Sequence, residues 1–336
     1  MPDRATDPVR RRSILRPRLV TVALWALIVA FASWALVRAI GFESAVPVVQ
    51  LLAFTPYVAL ASLLLVIVAT LSRRVWPALA AAVVMLVLVS GVAPRWFADA
   101  DTGPGKAGGP ALRVLSANLL VGGAQADTIV GLVRTHQVDL VAFQEFTPQA
   151  QAALERAGLT DMLPNRVAFP VDGVTGSALY SRYPLTDGAF HVHEASGFGQ
   201  ARATLTVPGA SPIEVESAHP CPPSGLSRSQ CWRADLADQP PATVDGPVRL
   251  LIGDFNATLD HAALRRLIAT GYRDAADVVG AGYARTWPYD EKWYIPAVAI
   301  DHVLADRRVG VTEVSVHPVP NSDHRAVFAA LQLPPA

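Results

Sequence analysis

The segment Gly253-Asp254-Phe255-Asn256 closes an apolar run with an acid and an amide two positions apart. Side chains at i and i+2 of an extended chain share a face. Asp254 can therefore take a proton from water while Asn256 donates a hydrogen bond to a phosphate oxygen; an Asx turn would account for the same pair. Glu145 follows another apolar run and Gln144. It is a hard oxygen donor suited to Mg²⁺ or Mn²⁺, or else an acid at a helix start, since Thr147 and Pro148 read as a cap and first turn. Two acid–imidazole dipeptides follow, Asp301-His302 and Asp323-His324, the second preceded by Ser322. A carboxylate against an imidazole fixes its tautomer and raises its pKa. His219 ends an alternating run just before Pro220, as a site residue or as an ordinary loop histidine.

These residues need elements that bring them to one place. Short β-type runs are read at 112–117, 138–143, 177–180, 213–218, 248–252, 298–304, 311–316 and 326–331, and helices at 126–136, 148–157 and 259–269. Five of the runs end in a carboxylate, an amide or an imidazole. Many strands with few helices predict two sheets packed together and flanked by helices. Strand ends along one rim would then gather groups distant in sequence.

The first 93 residues have another character. Apolar runs at 19–40, 46–71 and 75–93 are each close to the roughly 20 residues a helix needs to cross a bilayer. Nine arginines against three acidic residues lie in this part, six of them before the first run and two, Arg73 and Arg74, between the second and third. That distribution predicts a basic cytoplasmic N-terminus (1–18), a three-helix transmembrane region (19–93), a flexible Gly/Pro-rich linker (94–110) and an extracytoplasmic domain (111–336) on a multi-pass plasma-membrane protein. The remainder carries 19 basic and 25 acidic residues, so it offers no strongly basic surface for nucleic acid. Cys221 and Cys231, ten positions apart in a loop-like stretch, are either a disulfide or two thiols.

The motifs LSAN (115–118), DLVAFQE (139–145), GSALYSRYPL (176–185), VESAH (215–219), IGDFNA (252–257), IDHVL (300–304) and SDHRAV (322–327) occur in this order. The chain resembles the endonuclease/exonuclease/phosphatase superfamily over 112–332. The resemblance implies a four-layer α/β sandwich of the DNase I-like kind, here preceded by three transmembrane helices. It implies a phosphoester hydrolase dependent on Mg²⁺ or Mn²⁺, acting by in-line attack of water on phosphorus. Glu145 would be the principal metal ligand, with Asn118 beside it and Asp323 close by. Asp254 would orient or deprotonate the water, and Asn256, with Asn118, would hold the phosphate. His324 would contact the scissile phosphate with Asp301 as its partner, and His219 would donate to the phosphate. The implied substrate is DNA, a nucleotide or a phospholipid head group. Pro220 stands where the family often has Leu, and Tyr180 and Tyr183 are the candidates for a tyrosine that some of its nucleases use. A catalytically inactive extracytoplasmic binding domain is the alternative, and the retained Glu145, Asp254, Asn256, Asp301 and His324 argue against it. A transporter or channel subunit is disfavoured by three spans with no charge mid-span.

Overall fold

The computed structural model describes residues 8–44, 46–99, 108–289 and 294–336. The chain divides into two compact units, one of 1–42 and 54–93, the other of 43–53 and 94–336.

The first unit is helical. Helix α1 runs Pro8–Ile40, α3 Thr55–Leu71 and α4 Val75–Ser90, while the short α2, Val48–Leu52, falls in the other unit. Of the described helices, only α1 is long and apolar enough to cross a membrane, over Arg18–Ile40; α3 and α4 are shorter apolar helices of 17 and 16 residues. The expected second run, 46–71, is therefore broken: helix breaks at Ala53–Phe54, and only its second part continues as one helix. Leu24, Ile28, Leu65, Ala69 and Ala81 pack together, Trp34 Nε1 donates to Thr55 Oγ1 at 3.1 Å, and Arg38 Nη2 donates to the Gly91 carbonyl at 2.8 Å. Outward, large apolar side chains such as Leu60, Leu71 and Trp76 are 70%, 78% and 75% exposed. That is the reverse of a water-facing helix surface.

The second unit holds two six-stranded sheets. The strands are β1 (Ala111–Asn118), β2 (Leu140–Gln144), β3 (Asn165–Phe169), β4 (Ser177–Ser181), β5 (Leu185–Val192), β6 (Gly199–Leu205), β7 (Ile213–Ala218), β8 (Val248–Asp254), β9 (Tyr272–Asp274), β10 (Asp301–Asp306), β11 (Gly310–Pro318) and β12 (Arg325–Gln332). Their orders are β11-β12-β1-β2-β4-β3 and β5-β6-β7-β8-β10-β9. The helices are α5 (Ala126–Thr135), α6 (Pro148–Arg156), α7 (Leu159–Met162), α8 (Leu226–Asp238), α9 (Ala262–Ala269) and α10 (Ala275–Val278).

Alternation along the strands makes the layers. Leu112 and Val114 of β1 meet Val215, Leu250 and Ile252 between the sheets. Leu115 and Ala117 face the other way, against Ile129 and Val133 of α5 and Leu154 of α6. On the far side, Leu251 and Leu304 pack under Trp232 and Leu236 of α8 and Leu264 and Leu267 of α9. Helices, sheet, sheet and helices form the four-layer α/β sandwich. Strands covered on both faces read as near-continuous apolar runs, which is how they were visible in the sequence.

Three expectations change. Residues 94–99 are not free linker: Arg95 is buried with its guanidinium forked onto Asp260 at 2.8 Å, and Asp99 N donates to Val278 O at 2.9 Å. Positions 100–107 of that linker lie outside the described residues. The Cys221–Cys231 stretch is not wholly loop, because α8 begins inside it at Leu226, drawn in by Trp232 and Leu236. The sulfurs of Cys221 and Cys231 are joined in a disulfide. The strand expected at 298–304 starts at Asp301; upstream, Val298 pairs with Trp287 in an isolated bridge.

Candidate active site

The site is one rim of the sandwich. β1 and β2 are parallel neighbours, so Asn118 and Glu145 leave the first sheet side by side. In the second sheet β7 and β8 are parallel and β10 is antiparallel to β8, which sets His219, Asp254 and Asp301 at one end, with Asp301 opposite Asp254. His324 enters just ahead of β12. Gln144, fully buried, ties the sheets beneath: it accepts from Ser116 Oγ at 3.3 Å and donates to Ser217 Oγ at 2.9 Å.

The backbone is strained where the functional groups turn out of their strands. Glu145 has φ 55° and Asn256 φ 50°, and the neighbouring loop holds Leu120 at 44° and Val121 at 53°. Left-handed φ is rare outside glycine, above all for a β-branched residue, and such strain collects at functional sites. It brings Val121 N to within 2.6 Å of Glu145 Oε2.

Asn118 joins two carboxylates. Its Nδ2 donates to Glu145 Oε1 at 3.3 Å and to Asp254 Oδ2 at 3.1 Å, while its Oδ1 accepts from Leu120 N at 3.0 Å. Both amide hydrogens are engaged, so the nitrogen orients the acids, while the oxygen keeps a second lone pair. Asp254 Oδ1 accepts from Asn256 N at 2.8 Å, so the Asx turn exists and the acid still faces the site. Asn256 Nδ2 donates one hydrogen to Pro220 O at 3.1 Å; an amide nitrogen has a second to give. Likewise Thr147 caps α6 by accepting from Ala150 N at 3.1 Å, directly after Glu145. The local and the functional readings hold together at both places.

Neither acid–imidazole dipeptide forms a hydrogen bond within itself; Asp301 meets His324 instead, the partnership that the resemblance implies. His324 Nδ1 lies 2.9 and 3.1 Å from the oxygens of Asp301. His302 Nδ1 lies 2.6 Å from Asp274, and its Nε2 lies 2.8 Å from Ala257 O. His324 Nε2 faces Asp254 at 3.6 Å and Asp323 at 3.8 Å. His219 Nε2 is 3.8 Å from the same Asp254 oxygen. Asp323 also accepts from Trp287 Nε1 at 3.0 Å, a partner with no signal in the sequence reading.

Burial and charge set the protonation states. Burial raises the Asp254 carboxyl, to about 7, against the pull of His324. Burial alone would lower His324, but Asp301 and then Asp254 overcome it and push it up to about 10. Burial, then the charge of His324, pushes His219 down to about 3, so it stays a neutral donor. Burial raises Glu145 as well, and Asp323 adds to it. Oxygen donors left partly accessible, Glu145 and Asp323, suit a hard cation that keeps part of its water shell. A second group of ligand-type atoms, on Asp254, Asp301 and His324, lies within 4.8 Å, but it is buried and Asp301 is already committed to His324.

Tyr180 is not in the site. It is fully buried among Phe143 and Phe146, with its hydroxyl donating to Glu155 at 3.2 Å. Tyr183 packs against the core between the sheets.

Comparison with known proteins agrees with this geometry. The Endonuclease/Exonuclease/phosphatase family matches residues 115–324. No curated protein sequence matches the chain. An endonuclease/exonuclease/phosphatase from Beutenbergia cavernae is similar at TM-score 0.53 and 19% identity, over 67% of this chain and 72% of that one. TDP2 from D. rerio, complexed with a single-strand DNA product, is similar at TM-score 0.52 and 15% identity, over 66% and 98%. The 3′ phosphatase NExo from Neisseria, bound to a product DNA hairpin, is similar at TM-score 0.51, over 65% and 98%. Likeness at this identity establishes the shared fold.

Proposed function

The chain belongs to the endonuclease/exonuclease/phosphatase family, and on that premise we propose that it is a membrane-anchored, divalent-metal-dependent phosphoester hydrolase. One observation carries the reading: His324 holds Asp301 with one nitrogen and turns the other toward Asp254 at 3.6 Å, on the rim shared with Glu145 and Asn118. Asp254 accepts a proton from the attacking water, as a carboxyl raised to about 7 by burial can do near neutrality. His324, cationic, stabilises charge on the phosphoryl oxygens. His219, neutral, and the second hydrogen of Asn256 donate to those oxygens. Glu145 and Asp323, with Asn118 steadying the first, are the residues that would hold Mg²⁺ or Mn²⁺. Bound there, the ion supplies neutralisation of charge on the phosphoryl and leaving oxygens.

The anchor reading rests on α1 and on the outward apolar surface of α1, α3 and α4. In it all three helices span, the shorter two with thinning of the bilayer around them. The basic N-terminus and Arg73–Arg74 then lie on the cytoplasmic side, with the catalytic unit opposite. Leu120 and Val121, exposed beside Glu145, favour an ester with an apolar part, such as a phospholipid, over a nucleotide or DNA.

The test uses the full chain in detergent micelles. Bis-p-nitrophenyl phosphate, p-nitrophenyl phosphate, plasmid DNA, nucleotides and sphingomyelin are offered with Mg²⁺, Mn²⁺ or EDTA. Turnover that needs the metal and is lost in Asp254→Ala supports the reading. Turnover unaffected by EDTA would refute the metal dependence.

A further inference from the structure

We propose a second metal site, for Zn²⁺, formed by His191, His193 and Asp238. It lies at the same end of the second sheet as His219, two strands outward. His191 pairs with Gln200 of β6, and β6 pairs with β7.

The donors are already convergent. His191 and His193 stand two apart on an extended segment, which puts both imidazoles on one face. His191 Nε2 is 2.7 Å and His193 Nδ1 2.8 Å from the same oxygen of Asp238, the last residue of α8. The rings stand edge to face with centroids 4.8 Å apart, so their nitrogens approach one point from different directions. All three donor atoms lie within 4.8 Å of one another. A tetrahedral ion with bonds of about 2.0–2.2 Å needs donors about 3.3–3.6 Å apart, so the acid and the two rings have only to part slightly. Two imidazoles and a carboxylate are a borderline donor set, which selects Zn²⁺ over the Mg²⁺ or Mn²⁺ suited to Glu145.

Access and charge fit an ion. His191 and Asp238 open onto a cavity of about 430 Å³, from which water can fill a fourth position. Its walls carry Asp187, Glu214, Glu216 and Asp238 against Arg202 and Arg249, an excess of negative charge. His193, by contrast, is buried. A metal-bound histidine is held through its other nitrogen by a neighbouring group. Gln239 stands there, its side-chain amide 3.2 Å from His193 Nε2. With the ion in place that nitrogen carries the hydrogen, and Gln239 has to turn its carbonyl to meet it, which gives up its present donation to Gln200 Oε1. The same amide bonds Gln200 at 3.0 Å, and Gln200 Oε1 accepts the backbone N–H of His219 at 2.7 Å. Occupancy of the outer site is thereby linked to the segment that carries His219.

The experiment uses full-length protein in detergent micelles, purified without a histidine tag. It carries Glu145→Ala, so that the proposed catalytic ion plays no part. After EDTA treatment and dialysis, Zn²⁺ binding is followed by calorimetry and by metal analysis. The expected result is one Zn²⁺ per chain, undisplaced by millimolar Mg²⁺. His191→Gln or Asp238→Asn, both at partly exposed positions, should weaken it by at least about tenfold, and the double variant should bind none. Thermal unfolding of the metal-free variants checks that they fold. If they do not, Co²⁺ in the parent protein decides: an intense visible band reports a four-coordinate site. No retained Zn²⁺, undiminished binding in the double variant, or only the weak band of six-coordinate Co²⁺ would overturn the proposal. The cluster would then be a hydrogen-bonded strap between β5 and α8.

Discussion

His324 and His302 are built from the same parts, and in the proposed reaction the difference between them separates a reacting group from a supporting one. Each is buried, and each gives Nδ1 to a carboxylate, Asp301 or Asp274. His302 spends its second nitrogen on Ala257 O. Both of its ring nitrogens face acceptors, so it is fixed between β9, β10 and the turn after β8, and Asp274 favours its charged form. His324 keeps its second nitrogen toward the rim, no nearer than 3.6 Å to a carboxylate. Asp274 even has a second structural duty, capping α10 through Asp277 N at 2.8 Å. A buried histidine with both nitrogens satisfied is a tie; one with a nitrogen held open can meet substrate.

The sharpest way to break this contrast is to remove the open nitrogen and its metal-side counterpart. His324→Gln and Glu145→Gln are expected to lower kcat by about 10³-fold or more while unfolding normally; turnover within tenfold of the parent would dissolve the distinction. Asp301→Asn should cost about 10²-fold in kcat by loosening the imidazole, with little change in KM.

His302→Gln should act on the other axis. It is expected to cost about 3 kcal/mol of stability, as loss of one partner of a buried pair does, with kcat per folded molecule unchanged within a few-fold. The pH dependence has a definite sign. Burial lowers His302, but Asp274 outweighs it and the folded value lies above the ordinary one. Its contribution is therefore full below about pH 6.5 and fades as pH rises through the raised value. Denaturation across that window should show this decline in the parent and not in His302→Gln. Replacing Cys221 and Cys231 together with Ser opens a ten-residue separation. It should cost about 2–3 kcal/mol and leave both histidine pairs intact. Smallest of all, Trp287→Phe removes the donor to Asp323 and should change turnover only a few-fold.

Much of the sandwich was legible because its strands are covered on both faces and so stand out as apolar runs. Asn118, Glu145, Asp254 and Asp301 were legible because each sits at the end or the start of such a run. Strands β3, β5, β6 and β9 were not read. β3 and β9 are short, β5 lies at a sheet edge with much of one face exposed, and β6 interleaves Gln200, Arg202 and Thr204 with small apolar residues, so the apolar signal is diluted. The Asp301–His324 partnership is what the resemblance implies, but the partner of His302 was hidden: sequence adjacency offers it Asp301, whereas the antiparallel pairing of β9 with β10 brings Asp274 to 2.6 Å from it. Gln144, Gln200 and Trp287 work from beneath or beside the rim, and nothing in residue type marks a buried amide as a brace. His191-Val192-His193 did carry a signal in its two-residue spacing, which only the approach of Asp238 makes specific.

The segment 43–53 belongs to the catalytic unit although α3 and α4 follow it in the chain. Its Glu43 accepts from the backbone N–H groups of Ala262 and Ala263 at the start of α9, and the Val49 carbonyl faces His261 Nε2 at 2.7 Å. Glu43 and Ala262 are 219 residues apart. At a synthesis rate of about 5–20 residues per second, roughly 10–45 s pass between the making of that carboxylate and of the helix it caps. On the ribosome, then, the unit that holds the rim is begun before α3 and α4 of the other unit are made, and it is finished after them. Until α9 emerges, an acidic, apolar stub waits for a partner that the nascent chain does not yet contain.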